Sequence, residues 1–466
     1  MKILLTGATG YIGKRLLPAL IQEGHYVVCL VRDAARFHPS ESFISQITVL
    51  EADLLRPETL VLPNDIDAAY YLVHSMSNSK SYTGLEEASA KNFIQALSGS
   101  SIKQVIYLSG IVNEENLSPH LSSRKNVEEI LQTGNFHLTT LRAGIIIGSG
   151  SASFEIIRDL VEKLPIMVTP RWLNTKCQPI GIEDVIRFLQ KALNNEKLFD
   201  RNFDIGGPDI LTYKEMLLQY ALVRNLKRKI WIVPVMTPRL SSYWLYFVTS
   251  TTYRLAVNLV DSMKVEVVCR DNAINDITGV IPDSYREALN KTFSTLQHQS
   301  IISSWKDAGS EFRISDFIQV PEYGCFKDTR EKEYESKAHT IEKIWRIGGE
   351  TGWYFGNWLW QFRGFLDKVV GGVGLRRGRT NINTIDAGDS LDFWRVLYAN
   401  KKEGRLLLFA EMKLPGEAWL EFRIKGNKVI QTATFRPKGL AGRLYWFAVL
   451  PVHGIIFKGM INRIAS

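Results

Sequence analysis

The residues best placed by type and spacing to do chemistry lie at the start of the chain. Thr6-Gly7-Ala8-Thr9-Gly10-Tyr11-Ile12-Gly13 follows an apolar run, Lys2–Leu5, and opens a helical pattern, Gly13–Glu23. Glycine has a physical use at each of these spots. Gly7 permits a tight turn, Gly10 lets the backbone approach a pyrophosphate, and Gly13 lets a helix pack closely on its strand. The helix N-terminus then faces the negative charge with unpaired N–H groups. Thr6, Gly7, Thr9, Gly10, Tyr11, Ile12 and Gly13 are therefore candidate dinucleotide-binding residues. A site for NAD usually places an acidic side chain on the ribose 2′-OH, about 20 residues further on, at the end of the second strand. Aligned by Gly24-His25, that place is held by Val31, and Arg32 follows. An uncharged residue removes repulsion of a 2′-phosphate and a guanidinium can pair with one, which points to NADP over NAD, with Asp33 as the opposing feature. The 4 cysteines, Cys29, Cys177, Cys269 and Cys325, stand far apart. That spacing excludes a CxxC zinc or redox site and a disulfide framework, and suits a reducing compartment. No metal site is expected.

The elements that must position these residues are legible as alternation. Lys2–Leu5, Tyr26–Val31, Ile47–Leu50, Ala68–Val73, Val105–Leu108 and Thr140–Ile145 are strand-like, and Gly13–Glu23, Leu85–Leu97 and Arg124–Thr133 are helix-like. Strands separated by helices of this length predict βαβ units, hence a Rossmann-like, doubly wound parallel sheet of the α/β class. Asn202–Asp204, Thr212–Leu222 and Ile230–Val233 read as smaller mixed elements, followed by an aromatic helical stretch, Ser241–Met263, and a helix, Arg286–Gln297. The 466 residues exceed the roughly 250–300 at which one hydrophobic core stops growing, so more than one domain is expected. The predicted division is 1–300, with cap elements at about 200–300, a connector at 301–319, and a second domain at 320–466.

The segment TGATGYIG has GxxGxxG spacing and resembles the extended or atypical short-chain dehydrogenase/reductase superfamily, the epimerase-like branch. LVRD, EADL, YLVHS and YLSG continue the resemblance, and LRAGIIIGSG, QPIGIEDVIRFL and FDIGGPDILTYKEM look like its later landmarks. It covers roughly residues 1–300. The resemblance implies that Asp53 and Leu54 flank the adenine and that Val73, His74 and Ser75 line the nicotinamide ribose channel. It also implies a catalytic YxxxK pair with an upstream serine. The serine matches Ser109, but the matching helix reads Pro119-His120-Leu121-Ser122-Ser123-Arg124-Lys125, so HxxxR stands in place of YxxxK. Imidazole transfers protons near neutrality, although a neighbouring arginine disfavours its charged form. Arg124 stays positive and suits ribose hydroxyls or phosphate. Lys125 is one residue away but about 100° around the helix.

Three functions follow from the resemblance and its departure. The leading one is an NAD(P)-dependent oxidoreductase acting on a hydrophobic carbonyl or quinone-like substrate, with Ser109 polarising the carbonyl and His120 handling the proton. The second is a catalytically silent NADP(H)-binding sensor, scaffold or assembly factor. A nucleotide-sugar epimerase or dehydratase is third, disfavoured by the missing tyrosine and lysine. Residues Arg228–Asp271 look like the atypical subgroup that includes the NADPH-binding accessory subunit of respiratory complex I. Their aromatic content suits core or interface, or else an apolar ligand anchored by Arg239 and Ser241.

Beyond Pro321 the pattern changes. Lys332–Ser336 reads as a strand and Thr340–Ile347 as a helix. Strands follow at Ser390–Tyr398, Arg405–Lys413, Ala418–Lys425 and Lys428–Phe435, then a long helix from about Leu440. Consecutive strands capped by a helix mean α+β. The marks VPEYG, IGGETGWYFGNWLWQFRGFLDKVVGGVGLRRGR, LDFWRV, AEMKLPGEAWLEF and FRPKGLAGRLYWFAVLPVHGIIFKGM resemble a bacterial domain of unknown function fused to such reductases. Its element order looks like a START-type helix-grip fold, which implies an apolar ligand cavity. Trp353, Tyr354, Trp358, Trp360, Trp394, Trp419 and Trp446 suit a core or such a pocket. Arg376, Arg377 and Arg379 suit an anion or an exposed loop. Glu411 and Lys413, with Glu421, read as a solvated face, with an inward polar pair as the alternative.

Net charge is +9. A basic surface attracts nucleic acid, anionic membrane or a phosphorylated cofactor. No polylysine tail or zinc-finger spacing supports nucleic acid, which is not an expected partner. Leu444–Ile461 is interrupted by Pro451, His453, Gly454 and Lys458 and falls short of the roughly 20 apolar residues of a spanning helix. It reads as a docked helix, leaving peripheral contact at the inner face of a membrane open. The opening apolar stretch is too short for a signal peptide, so a cytoplasmic location is expected. Oligomeric state is not legible.

Overall fold

The computed structural model describes residues 1–34, 37, 39, 41–73, 82–112, 119–149, 151–233, 257, 263–297, 320, 325–369, 374, 379, 385–387, 389–437 and 439–466. The chain divides into two compact units, Met1–Glu311 and Phe312–Ser466.

The first unit is built on seven strands: β1 (Lys2–Thr6), β2 (Tyr26–Val31), β3 (Ile47–Glu51), β4 (Ala68–Tyr71), β5 (Gln104–Gly110), β6 (His137–Ala143) and β7 (Arg201–Ile205). They lie in the order β7-β6-β5-β4-β1-β2-β3, with every neighbouring pair parallel. Helices α1 (Gly13–Gln22), α2 (Tyr82–Leu97) and α3 (Pro119–Leu131) follow β1, β4 and β5. Alternation along β1 shows why both faces must be covered. Ile3 and Leu5 enter one core cluster with Leu16, Leu20 and Cys29, while Leu4 enters the other with Val28, Tyr71 and Phe93. The strand order reverses at β1, which sits between β4 and β2. An open α/β sheet has its crevice at such a switch point, outside the carboxyl ends of the strands.

The expected strand Tyr26–Val31 is found as read, and the others differ by a few residues; Ala68–Val73 pairs only as far as Tyr71. Helices at Ala152–Lys163, Tyr213–Val223 and Tyr285–Gln297 surround a further core in which Phe154, Tyr220 and Phe293 meet. The second of these starts at a capping box formed by Thr212 and Glu215. The aromatic stretch with Arg239 and Ser241 lies outside the described residues, as does the connector at 301–319. All four cysteines are free thiols.

The second unit is a six-stranded antiparallel sheet, β8 (Phe326–Glu333), β9 (Ser390–Leu391), β10 (Trp394–Asn400), β11 (Arg405–Ala410), β12 (Gly416–Lys425) and β13 (Lys428–Pro437), in the order β8-β13-β12-β11-β10-β9. Helix α4 (Lys337–Arg346) follows β8, α5 (Asn357–Val369) comes next, and α6 (Gly439–Ala465) closes the chain. Gly426 and Asn427 turn β12 into β13, as their type suggests. Two expectations need correction. The strand read at Lys332–Ser336 is Phe326–Glu333, because its register is set by pairing Phe326 with Phe435 and Glu333 with Lys428. Ser390–Tyr398 is two strands around a turn at Asp392, whose φ is +53°.

One core holds Trp345, Trp353, Trp360, Phe393 and Trp394 with Phe457 of α6, while Trp419 packs with Phe409 and Leu407 in a separate cluster. The Trp353 indole N–H donates to Asp392 Oδ2 at 2.8 Å, satisfying a polar group that burial would otherwise strand. Glu411 is not on a solvated face: it pairs with the buried Arg395 at 3.1 Å. Glu421 pairs with Arg405 at 2.8 Å. A cavity of about 30 Å³ is lined by Trp360, Arg363, Tyr445 and His453 among others.

His453 lies between the rings of Trp446 and Phe457. Burial pushes its imidazole down to about 4, and the Arg363 charge adds to this; Asp328 opposes it and Arg330 reinforces it. A histidine whose folded value is depressed lets the unfolded chain bind more protons. Its contribution is therefore full above about pH 6.5 and is lost as pH falls toward 4. The thermal midpoint of the second unit should drop across that interval, by the equivalent of roughly 2–3 kcal/mol. Melting curves of His453→Phe should lack that part of the slope; parallel curves for the two proteins would refute it.

Candidate functional site

The glycine loop stands at the carboxyl end of β1, inside the crevice. Gly7 has φ of +72°, a conformation that L side chains rarely adopt, and a Cβ there would lie 2.9 Å from the Leu72 carbonyl oxygen. Gly10 N–H donates to the Gly7 carbonyl at 2.8 Å and closes the turn. A Cβ on Gly13 would lie 2.9 Å from the Ala8 Cα and closer still to the Gly7 carbonyl oxygen. The loop is thus tight at two glycines, and α1 starts directly behind it at Ile12, which supplies no side-chain cap. This is the cradle a pyrophosphate requires.

The other loop residues divide by where their side chains go. Thr9 is half-buried at the turn. Thr6 is fully buried: its hydroxyl donates to the Tyr70 carbonyl at 3.0 Å and accepts from Leu72 N–H at 3.2 Å, tying β1 to the end of β4. Tyr11 is buried beneath the Arg15 guanidinium, 4.1 Å from its ring centroid, and desolvation raises its phenol above the usual range. Arg15 in turn donates to the carbonyls of Tyr11 at 3.1 Å and Ser149 at 2.8 Å. Ile12 packs on the core. Thr6, Tyr11 and Ile12 therefore hold the loop in place, and ligand contact there falls to the backbone.

Arg32 is exposed just past the end of β2. At the end of β3, Asp53 accepts from Leu55 N–H at 3.0 Å and donates its own N–H to Thr59 at 2.9 Å. The Leu54 side chain is buried in the core cluster with Phe93, so only its backbone is available to a ligand. Val73 is half-buried beyond β4, and His74 and Ser75 lie outside the described residues.

Ser109 occupies the penultimate position of β5 and is 2% exposed. A Cβ on the next residue, Gly110, would meet Arg124 Cδ at 3.5 Å and Nη1 at 3.6 Å, so the Arg124 side chain lies against Gly110 at the strand end. Arg124 Nε is buried and makes no hydrogen bond. An orphaned cationic donor in such a place is fitted to an oxygen-bearing ligand. The Tyr107 hydroxyl donates to the Arg124 carbonyl at 3.4 Å, and burial pushes that phenol up to about 12 against the Arg124 charge and the Ser109 hydroxyl. His120 lies in the first turn of α3, and its side chain falls outside the described residues. The structure thus sets Arg124 against Gly110, the residue that follows Ser109. Gly110, which makes room for Arg124, was not assigned from sequence; its place directly after Ser109 was the available signal.

α3 is held by two buried contacts. Arg142 on β6 makes a bidentate pair with Glu128, at 3.1 and 2.8 Å. Ser123 donates to Glu86 of α2. No group of three or more His, Cys, Asp or Glu residues suited to a metal occurs among the described residues.

Residues 7–160 match a protein-family model described as NAD(P)H-binding, and residues 324–460 match one described as a protein of unknown function, DUF2867. The photosystem II assembly factor Ycf39 of Guillardia theta is 22% identical over 293 residues, 62% of this chain and 88% of that protein. Proteins of the same name from Trieres chinensis and Synechocystis are matched over 64% and 63% of their lengths. Among solved structures, the Citrobacter sp. triphenylmethane reductase complexed with NADP(H) superposes with a TM-score of 0.51 at 17% identity, over 62% of this chain and 99% of that one. The NADPH-dependent quinone oxidoreductase QOR2 of Escherichia coli gives 0.51 at 16%, over 62% and 99%. At these identities the structural likeness establishes the fold.

Proposed function

We propose that this chain, with residues 7–160 matching an NAD(P)H-binding model and residues 324–460 matching DUF2867, is of the atypical short-chain dehydrogenase/reductase, epimerase-like type and acts as an NADP(H)-dependent reductase of a hydrophobic carbonyl or quinone-like substrate. The observation that supports the reading is at the end of β5: a buried Ser109 hydroxyl without a partner, and next to it in the chain Gly110, against which Arg124 lies with its Nε also unpartnered. Gly7, Gly10 and Gly13 would hold the pyrophosphate, Arg32 the 2′-phosphate, and Asp53 the adenine end. Bound there, the reduced dinucleotide supplies a hydride. Ser109 and Arg124 hold the substrate oxygen and stabilise the negative charge that develops on it. His120 holds the proton that the oxygen takes up. Purified protein should oxidise NADPH in the presence of a quinone, aldehyde or enone. Ser109→Ala and Arg124→Ala should each lower kcat by roughly 100-fold, the usual weight of one oxyanion donor. Substrate-independent NADPH levels across the whole panel would overturn the reductase.

Cofactor choice has its own test. Arg32→Ala should weaken NADPH by roughly 10–100-fold, the worth of one charge-assisted hydrogen-bonded contact, and leave NADH within about twofold. Equal losses in calorimetric titrations would count against the 2′-phosphate contact.

A second reading, a dinucleotide-binding assembly factor without turnover, is favoured by the name of the Guillardia relative and by HxxxR in place of YxxxK. It expects tight NADPH binding with no turnover, and binding that Ser109→Ala leaves unchanged.

A further inference from the structure

The described residues of the second unit bury their aromatic core, yet leave two helices with apolar outer faces. On α5, Trp358, Phe362, Phe365 and Val369 recur at intervals of four, three and four, so they form one stripe; Trp358 is 68% exposed and Phe365 56%. On α6, Leu444, Phe447, Pro451 and Ile455 recur at three, four and four; Phe447 is 60% exposed and Ile455 64%. The opposite sides of both helices are already used. Trp360 and Phe457 meet with ring centroids 6.3 Å apart, in the cluster that also holds Phe393 and Leu408 of the sheet region. Both stripes therefore turn away from that core.

The charge on these helices is of one sign. From Gly439 to Ser466 the chain has Arg443, Lys458 and Arg463 and no aspartate or glutamate. The one carboxylate of α5, Asp367, is 6% exposed and accepts from the backbone N–H groups of Gly374 at 2.7 Å and Lys413 at 2.8 Å. The exposed charges of these two helices are cations, and an apolar stripe that carries them matches the surface of an anionic bilayer, where rings settle at headgroup depth and lysine and arginine reach the phosphates; the carboxylates nearest to α6 belong to the neighbouring β8. A second copy meeting this face would oppose Arg443 and Lys458 with cations of its own kind.

We infer that the outer faces of α5 and α6 are a docking surface for an anionic lipid membrane, on which the second unit lies flat. α6 is 27 residues long, and its 25-residue stretch Ala441–Ala465 meets the length and hydropathy of a spanning helix, contrary to the shorter run read from sequence. Its inner face is committed to the sheet through Trp446, Phe457 and Met460, so it lies in the interface rather than across it. The inference is independent of what the first unit reduces.

Flotation of the full-length chain with phosphatidylcholine vesicles, with and without phosphatidylglycerol, tests this. Binding is expected to the phosphatidylglycerol vesicles, weakened by salt, and reduced roughly tenfold or more in Phe362→Ser/Phe447→Ser and in Arg443→Glu/Lys458→Glu. Phe362 and Phe447 are both more than half exposed, so far-UV circular dichroism should be unchanged. Failure to float with either vesicle overturns the inference. So does vesicle binding that the four substitutions leave intact, or a stable dimer by light scattering that buries the stripe and does not float.

Discussion

Gly13→Ala should abolish binding of NADPH and NADH alike, with dissociation constants raised more than about 100-fold. The added methyl would lie 2.9 Å from the Ala8 Cα and nearer still to the Gly7 carbonyl, both of them backbone. Backbone cannot swing aside as a flexible side chain can. Gly7 is itself held between the Leu72 carbonyl and the Gly10 N–H, so the turn must open or α1 must move off β1. Either change spoils the spacing of the N–H groups that face a pyrophosphate, and overpacking of this kind also costs roughly 1–3 kcal/mol of stability. Fluorescence titration of both coenzymes, with far-UV circular dichroism as a folding control, checks the result. Retained binding within a few fold would mean that the cradle is elsewhere.

Glu128→Ala should be the most destabilising single change near the site. Glu128 is 3% exposed and receives two hydrogen bonds from Arg142, so its removal leaves a guanidinium buried and uncompensated. Breaking one side of such a pair costs about 3–5 kcal/mol, whereas replacing both partners by apolar residues is often close to neutral. Urea denaturation should show the single variant losing several kcal/mol and Glu128→Leu/Arg142→Met recovering most of it. A loss below about 1 kcal/mol would mean that water reaches Arg142 freely. Because α3 also carries Arg124, activity should fall in the single variant even where it remains folded.

Local signals made much of the first unit legible. The alternation of Ile3, Leu4 and Leu5 specifies a strand buried on both faces, and Tyr26–Val31 is found to the residue. The same logic failed where a pattern is compatible with two structures. Ser390–Tyr398 is apolar enough for one strand, but Asp392 turns the chain and takes the Trp353 indole N–H. α5 escaped notice because Trp358 points outward and Trp360 inward, so tryptophan content alone marks no buried side. At the glycine loop, spacing identified a tight turn between strand and helix without giving side-chain direction. Tyr11 and Leu54 turn into the protein, and Thr6 bonds between strands. Arg395, buried against Glu411, carried no sequence signal, since nothing local distinguishes a charge that will be enclosed from one that will be solvated.

Among the described strands the sheet of the second unit ends on one side at β8 and on the other at β9, which is two residues long and bridged by Arg379. β8 reads Phe-Lys-Asp-Thr-Arg-Glu-Lys-Glu, with charge at six of its eight positions. A foreign strand seeking those open amides would have to strip water from a dense row of ions, and the opposite margin is too brief to template anything. Crowded side by side, copies of this unit should therefore resist stacking into fibrils.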